Sequence, residues 1–476
     1  MSFYIDLPTV ALPGPRPLPL LGARGNLVRF LGDPVSAMLR LHERYGDVVP
    51  LTRDNPGWVL AFGSDYNRQI LTDKAGFYNF ADHPVKLPPN SAAAKFSLSL
   101  VNQNGDVHSR SRRMMMPAFS KARLAGYGEM IAGTATRILD PLAVGGVVDA
   151  HALSIELSLG VALRCLFDID LSRGPDELGA MVLDYLGRVF SPASMLLPVD
   201  LPGTPYTRFI TASERLGARV EQLITERRKR GPGADVLSAL IEAYAKEDHR
   251  TTREIDDELL GQTAMLLIAG HDTTAYTLAW TLFLLTQHPA IQAALGDEID
   301  EAGLGEQPSL DAVMRLPLLD RVIKESMRLL PAVPLLFFRR STEPFKLGEY
   351  ELPVGSTVVV SPLVTHRCPT LYPEPRRFNP QRWLERSAGT YDYLPYGAGP
   401  RMCIGAGFGA GILRLLVVML LQRFRVAMTN GARVSYKTGG VMMGPKPGVN
   451  LRLLDRKQSA PRIGVRGNIH ELVELG

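Results

Sequence analysis

Thr251-Thr252-Arg253-Glu254 opens a helical pattern that ends only at His288-Pro289, and a rod of that length sets the size of anything folded around it. Thr251 and Glu254 have the spacing of a capping box, and Pro289 cannot continue the helix. Roughly 36 residues at about 1.5 Å each make a rod of roughly 50 Å, about the width of a whole domain of this size. Its centre, Ala264–Leu285, is apolar all round, which implies burial. A membrane span is the competing reading. His271 and Asp272 in mid-span oppose it, because ionisable groups are costly there.

The polar break in that rod reads Ala269-Gly270-His271-Asp272-Thr273-Thr274. A glycine inside a helix costs about 1 kcal/mol against alanine, so Gly270 points to the close approach of something bulky, with Ala269 keeping the surface low beside it. Thr273 and Thr274 can turn their hydroxyls onto carbonyls one turn earlier. Asp272 is an expensive buried charge unless it has a partner or a polar task. The plainer alternative is a small-residue helix crossing with a satisfied aspartate.

A second segment, Tyr396-Gly397-Ala398-Gly399-Pro400-Arg401-Met402-Cys403-Ile404-Gly405, surrounds one cysteine with glycines. The glycines allow tight turning and close approach to a flat ligand. The helix expected to begin just after Cys403 would direct free amides and its positive dipole end at the sulfur, surroundings that favour a metal-binding thiolate. Arg401 adds positive charge for the acidic edge of a ligand. Only three cysteines occur, Cys165, Cys368 and Cys403, too scattered for a disulfide framework or a four-cysteine metal site, which suits a reducing compartment. A lone thiolate suits the axial position of a haem. A helix-capping loop around an inert cysteine accounts for the glycines but not for Arg401.

Hydrophobic residues at 46% and charged residues at 21% exclude general disorder, and a net charge of +5 is too small to argue for nucleic acid. The first residues carry five prolines between Pro8 and Pro19 and no charged start followed by an apolar run, so neither a signal peptide nor a membrane span is expected there. Residues 1–32 read as an extended Pro-rich leader, 33–455 as a single domain, and 456–476 as a loosely packed polar tail. Strand patterns fall at Val48–Thr52, Trp58–Phe62, Pro344–Val360, Phe424–Met428 and Val434–Leu453. Helices occupy most of the rest, so the class is mainly α with a smaller β region.

With these segments in hand, the chain resembles the cytochrome P-450 family of haem-thiolate monooxygenases, in its soluble bacterial type. The cysteine loop is similar to the family's F-x-x-G-x-R-x-C-x-G, with Tyr396 in the place of Phe. Ala269–Thr274 resembles its A-G-x-D/E-T motif. Glu325-Ser326-Met327-Arg328 resembles its E-x-x-R helix, and Phe378–Trp383 the segment supplying a further arginine, Arg382. His108 and Arg112, at i and i+4 and so on one helix face, resemble its propionate-binding helix. Arg339 matches another propionate arginine, a residue type whose planar fork suits carboxylates.

The resemblance implies the family's prism, one long helix crossing a buried haem b (iron protoporphyrin IX). Cys403 would be the iron ligand. His108, Arg112, Ala269, Gly270, Arg339 and Arg401 would contact the cofactor. Asp272 and Thr273 would be the catalytic acid–alcohol pair that relays protons to bound dioxygen. Glu325, Arg328 and Arg382 would form a structural ion network. Leu196, Leu267, Val333, Phe337 and Met442 would line the substrate pocket, the competing reading being ordinary core, and Asn90 or Ser97 could anchor one end of the substrate. The reaction implied is hydroxylation or another oxidation of a lipophilic small molecule, with isoprenoids, steroid-like molecules and secondary metabolites in view. Leu197–Tyr206 is similar to a lid in relatives acting on isoprenoids. With no flavin or iron–sulfur segment in the chain, electrons would come from a separate ferredoxin or flavodoxin and its reductase. A cytoplasmic monomer with neither nucleic-acid partner nor membrane span completes the expectation. Non-oxygenating or peroxide-driven chemistry on the same fold, or a haem sensor without turnover, are the alternatives.

Overall fold

The computed structural model describes residues 7–79, 87–169, 177–189, 199–247 and 250–475. The long helix runs Thr252–Gln287, and the capping box forms as its spacing requires: Thr251 Oγ1 accepts from the Glu254 amide, and the Glu254 carboxylate accepts from the Thr251 amide. Its second half is buried on every side, including Trp280, Phe283, Leu284 and Leu285, all inaccessible to solvent.

Three helices pack on this rod. The apolar Ala150–Phe167 lies along it, the apolar Ala406–Leu421 meets it from the cysteine loop, and the amphipathic Pro317–Leu329 also packs against it. Ala150–Phe167 is long and apolar enough to cross a membrane, but 72% of that window is buried inside the protein, so it is a core helix. Pro205–Arg230 and the short Ala92–Phe96 cover the N-terminal half, where an added Cβ at Gly261 would sit 2.4 Å from the Lys95 carbonyl oxygen. That is the tight small-residue crossing on this helix. Gly270 is not one, because a Cβ there would meet only Leu166 Cδ1 at 3.9 Å.

The β region stands to one side. Its five-stranded sheet is ordered Val48–Thr52, Asn55–Ala61, Thr357–Val360, Arg339–Ser341 and Phe77–Asn79, antiparallel except where Asn55–Ala61 meets Thr357–Val360. Smaller sheets pair Tyr436–Gly439 with Met442–Pro445, and Asn450–Asp455 with both Phe424–Met428 and Val147–Asp149. This is the mainly helical architecture with a smaller β region that the sequence implies.

Both ends depart from expectation. Gly22–Gly32 is a helix rather than extended leader, because the prolines stop at Pro19 and Leu27 and Phe30 then recur on one buried face. The C-terminal segment is not loose. Ile469, Leu472 and Val473 are buried in the core, Arg367 donates to the Leu472 carbonyl, and Arg466 pairs with Arg433 through a β-bridge. Three apolar side chains anchor what its overall composition presents as polar.

Candidate active site

The cysteine loop is held by its own backbone. The Cys403 amide donates to the Tyr396 carbonyl at 2.9 Å, and the Met402 amide to that of Gly399 at 3.0 Å. Gly399 has φ +69°, and a Cβ there would lie 2.1 Å from the Leu71 carbonyl oxygen, so no other residue fits. The helix Ala406–Leu421 then starts at the sulfur, as expected. The thiol's acidity is more balanced than the sequence suggests. Burial pushes its pKa up, while the Gly405 amide and Arg112, rather than Arg401, pull it down. Yet Cys403 is exposed. A thiol both crowded by protein and exposed lies on the wall of a hollow.

Ala269 has the same character: it is exposed in the middle of a helix whose neighbouring faces are buried. Thr273 Oγ1 donates to the Ala269 carbonyl at 2.9 Å, the back-bond anticipated from the sequence, and Thr277 and Thr281 repeat it at 2.8 Å each. Asp272 is buried, its carboxyl pKa raised by that burial and drawn back down by His271, His151 and Lys437. His271 Nε2 lies 3.1 Å from Asp272 Oδ1.

The cations converge. Burial and then Arg401, Arg112, Arg339 and Lys74 push the His108 imidazole down to about 4. Burial and Arg401 push Arg339 down to about 9; burial and Arg112 push Arg401 down to about 10. A guanidinium keeps its proton in a protein, so these directions record the cost of crowding positive charge. Among the described residues, no carboxylate is ion-paired with Arg112, Arg339 or Arg401. Neutral groups orient them instead. Asn79 Oδ1 accepts from Arg339, Asn104 Oδ1 accepts from Arg401 at 2.6 Å, and the two asparagines bond to each other. Sequence reading missed both asparagines, which are ordinary polar residues 25 positions apart until the fold joins them. A buried cluster of cations with no protein anion, close enough to Cys403 for Arg112 to act on the thiol, fits a cofactor with carboxylates on one edge and a metal for the thiolate.

Glu325, Arg328 and Arg382 meet in a buried knot. Arg328 grips the Glu325 carboxylate with two bonds of 2.9 Å; Arg382 Nε adds one of 2.9 Å and the Trp383 indole one of 3.0 Å. Arg328 also donates to the carbonyls of His366, Pro375 and Arg377, so every charge is answered within the protein.

The expected pocket residues divide. Val333 and Met442 come together half-buried, since the Met443 amide donates to the Ala332 carbonyl at 2.8 Å. Phe337 is 38% exposed on the segment leading into Arg339. Leu267 is a correction: it is fully buried, about 200° around the helix from Ala269, so it faces the core while Leu266 and Ile268 keep open surface. Asn90 is a second one, lying at the surface where it accepts from Arg253. Ser97 bonds back to the Ala93 carbonyl. Leu196 lies outside the described residues, as does the Leu197–Tyr206 segment up to position 198.

Fold and site together define a haem-thiolate oxidoreductase. The Cytochrome P450 family matches residues 12–451, and the chain belongs to it. Its relatives include cyclooctatin synthase of Streptomyces melanosporofaciens, 33% identical over 92% of this chain and 95% of that protein. Cyclooctat-9-en-7-ol 5-monooxygenase from the same organism is 30% identical over 88% and 90%, and pentalenene oxygenase of Streptomyces avermitilis is 30% identical over 89% and 93%. Among solved structures, retinoic acid bound cyanobacterial CYP120A1 superposes with a TM-score of 0.81 at 24% identity, over 94% of this chain and 99% of that one. The protein is a monooxygenase whose cofactor is haem b.

Proposed function

We propose that the protein hydroxylates or otherwise oxidises an apolar molecule of terpenoid size. The observation that carries this reading is the near full-length similarity to terpenoid-modifying bacterial enzymes, whose names describe oxidation of a hydrocarbon, pentalenene, and of an alcohol, cyclooctat-9-en-7-ol. The half-buried apolar surface of Leu266, Ile268, Val333 and Met442 supports it, because binding there draws on buried area at about 25 cal/mol per Å² with few polar fixers.

The geometry supports a set of residue roles. Cys403 would hold the iron, and His108, Arg112, Arg339 and Arg401 the propionates. The bound haem supplies oxygen activation, with the thiolate favouring O–O cleavage. Ala269 and Gly270 leave space on the helix wall. Asp272 and Thr273 deliver protons into that space, and the apolar walls exclude water. Glu325, Arg328 and Arg382 would hold the fold through their buried ion network. A cleft of ≈ 450 Å³ lined by Lys74, Arg112, Arg113 and Pro400 opens beside the cysteine loop and offers positive charge to a separate acidic electron carrier, a ferredoxin or flavodoxin. The unpaired state of Cys165, Cys368 and Cys403 suits a reducing cytoplasm.

A panel of terpene hydrocarbons and alcohols, screened by shift of the haem absorption band and then by mass spectrometry of products formed with ferredoxin, reductase and dioxygen, tests the substrate class. Binding confined to polar ligands would refute it. Cys403→Ala should abolish the thiolate-type spectrum of the reduced carbon-monoxide complex. Asp272→Asn should keep haem and ligand binding yet slow productive turnover by roughly 10²–10⁴-fold, with dioxygen diverted to hydrogen peroxide. Val333→Phe and Met442→Phe should each change product ratios more than melting temperature.

A further inference from the structure

Two histidines beside Asp272 lack the partners that buried imidazoles normally have. His271 is fully buried with neither ring nitrogen hydrogen-bonded, and His151, 7% exposed, has an unpartnered buried Nε2. Each unsatisfied buried nitrogen costs about 1–3 kcal/mol, whereas an apolar side chain would pack at either position without that cost. A purely structural role does not explain the choice of histidine at both.

Their placement supplies a reason. His271 Nε2 lies 3.1 Å from Asp272 Oδ1, one small ring rotation from a hydrogen bond. Its backbone is fixed, because Ser158 Oγ on the adjoining helix donates to the His271 carbonyl at 2.7 Å, leaving the ring as the movable part. His151 stands at the start of that adjoining helix and stacks on Tyr276, one turn after Asp272, with ring centroids 5.6 Å apart at 26°. Tyr276 reaches this position because Gly444 has no side chain; a Cβ there would lie 2.6 Å from the tyrosine ring. The charges acting on His151 are Lys437, Asp149, Asp272 and His271, and Lys437 is exposed to solvent. Asp149 caps the helix through the amides of His151 and Ala152. Burial, together with Lys437, lowers the His151 pKa, and burial lowers that of His271, while Asp272 pulls both back up, so a proton on either ring is loosely held and is released readily to the carboxylate.

We propose that His151 and His271 form the proton-supply branch of Asp272, carrying protons from solvent beside Lys437 to the Asp272 carboxylate. This rests on the reading of Asp272 and Thr273 as the acid–alcohol pair. Hydroxylation takes a C–H substrate, dioxygen, two electrons from the carrier and two protons from solvent to an alcohol and water. In each transfer an imidazolium N–H bond breaks and a carboxyl O–H bond forms, after which the imidazole is reprotonated from solvent. Without substrate, four electrons and four protons reduce dioxygen to two waters, whereas two of each release hydrogen peroxide. The peroxide fraction therefore reports proton supply.

The test uses the holoenzyme with ferredoxin, reductase and dioxygen and needs no identified substrate. His151→Phe and His271→Phe should each raise the peroxide fraction and slow water formation by about tenfold, with a larger solvent deuterium isotope effect. His271→Gln, which keeps polarity and volume but carries no transferable proton, should do the same and replaces His271→Phe if that variant loses haem. Either variant combined with Asp272→Asn should be no worse than Asp272→Asn alone. Histidine NMR of the diamagnetic reduced carbon-monoxide form should show both imidazoles titrating lower in Asp272→Asn, as groups within electrostatic reach of that carboxylate must, while the solvent isotope effect and the peroxide fraction separate proton transfer from packing. Native partitioning in the histidine variants while Asp272→Asn shifts it would overturn the branch and leave the acid–alcohol pair standing, as would additive effects in the double variants or uncoupled titrations. Native partitioning in all three would overturn the pair and the branch together.

Discussion

Glu325, Arg328 and Arg382 lie on one side of the fold and His108, Arg112, Arg339 and Arg401 on another, and the two groups show what a finished and an unfinished charge cluster look like. In the first, one carboxylate receives four side-chain bonds and the arginines spend their remaining donors on backbone carbonyls. In the second, cations crowd one another with asparagines and carbonyls for company. Burying charge is tolerable only when it is answered. The first cluster is answered by the chain and serves folding. The second has no carboxylate partner among the described residues, which is why it is proposed as the place where the haem carboxylates bind.

The difference can be broken most severely at Glu325. Glu325→Gln leaves Arg328 and Arg382 without a counter-charge and should cost about 3–5 kcal/mol of stability, read by urea unfolding with and without haem. Arg112→Leu should behave in the opposite way. Haem should dissociate about 10- to 100-fold faster, from loss of a charge-assisted bond of about 1.5–3 kcal/mol, while the haem-free protein stays as stable as before or gains stability. Destabilisation equal to that of Glu325→Gln would mean that both clusters are structural.

A pH profile sharpens the comparison further. His108 is held at about 4 by burial and its cationic neighbours, against 6.5 in an open chain. Between those values the unfolded chain binds a proton that the folded one does not. Stability is therefore full above 6.5 and falls as the pH drops toward 4, by up to about 3 kcal/mol in the haem-free protein. His108→Gln should flatten that slope, and bound haem carboxylates should narrow the window. The smallest expected effect is at Trp383→Phe, which removes one donor from a carboxylate that keeps four other hydrogen bonds and should cost about 1 kcal/mol.

Much of this is legible in the order of the residues. The capping box and the threonine back-bonds follow from contacts within four residues, which a sequence records directly, and the long rod and the glycine-framed cysteine loop are visible as continuous runs of residue type. The Glu325–Arg328 pair is visible for the same reason. The departures have a different origin. Leu267 reads as a pocket residue because it is close to Ala269 in sequence, yet two residues along a helix turn a side chain to the far wall. The C-terminal segment reads as polar because its three anchoring apolar residues are diluted among charges.

The sequence alone determined the class of fold and, through the family resemblance of its local motifs, pointed to Cys403 as the proposed iron ligand and to Asp272 and Thr273 as the proposed proton-delivery pair. Only the tertiary structure decided which cations meet without an anion, which asparagines hold them, and that His151, Tyr276 and Lys437 gather around Asp272. Those groups come from a helix start, the long helix and a strand more than a hundred residues apart. The free energy of burying charge depends on which groups face one another, and that depends on how the elements pack.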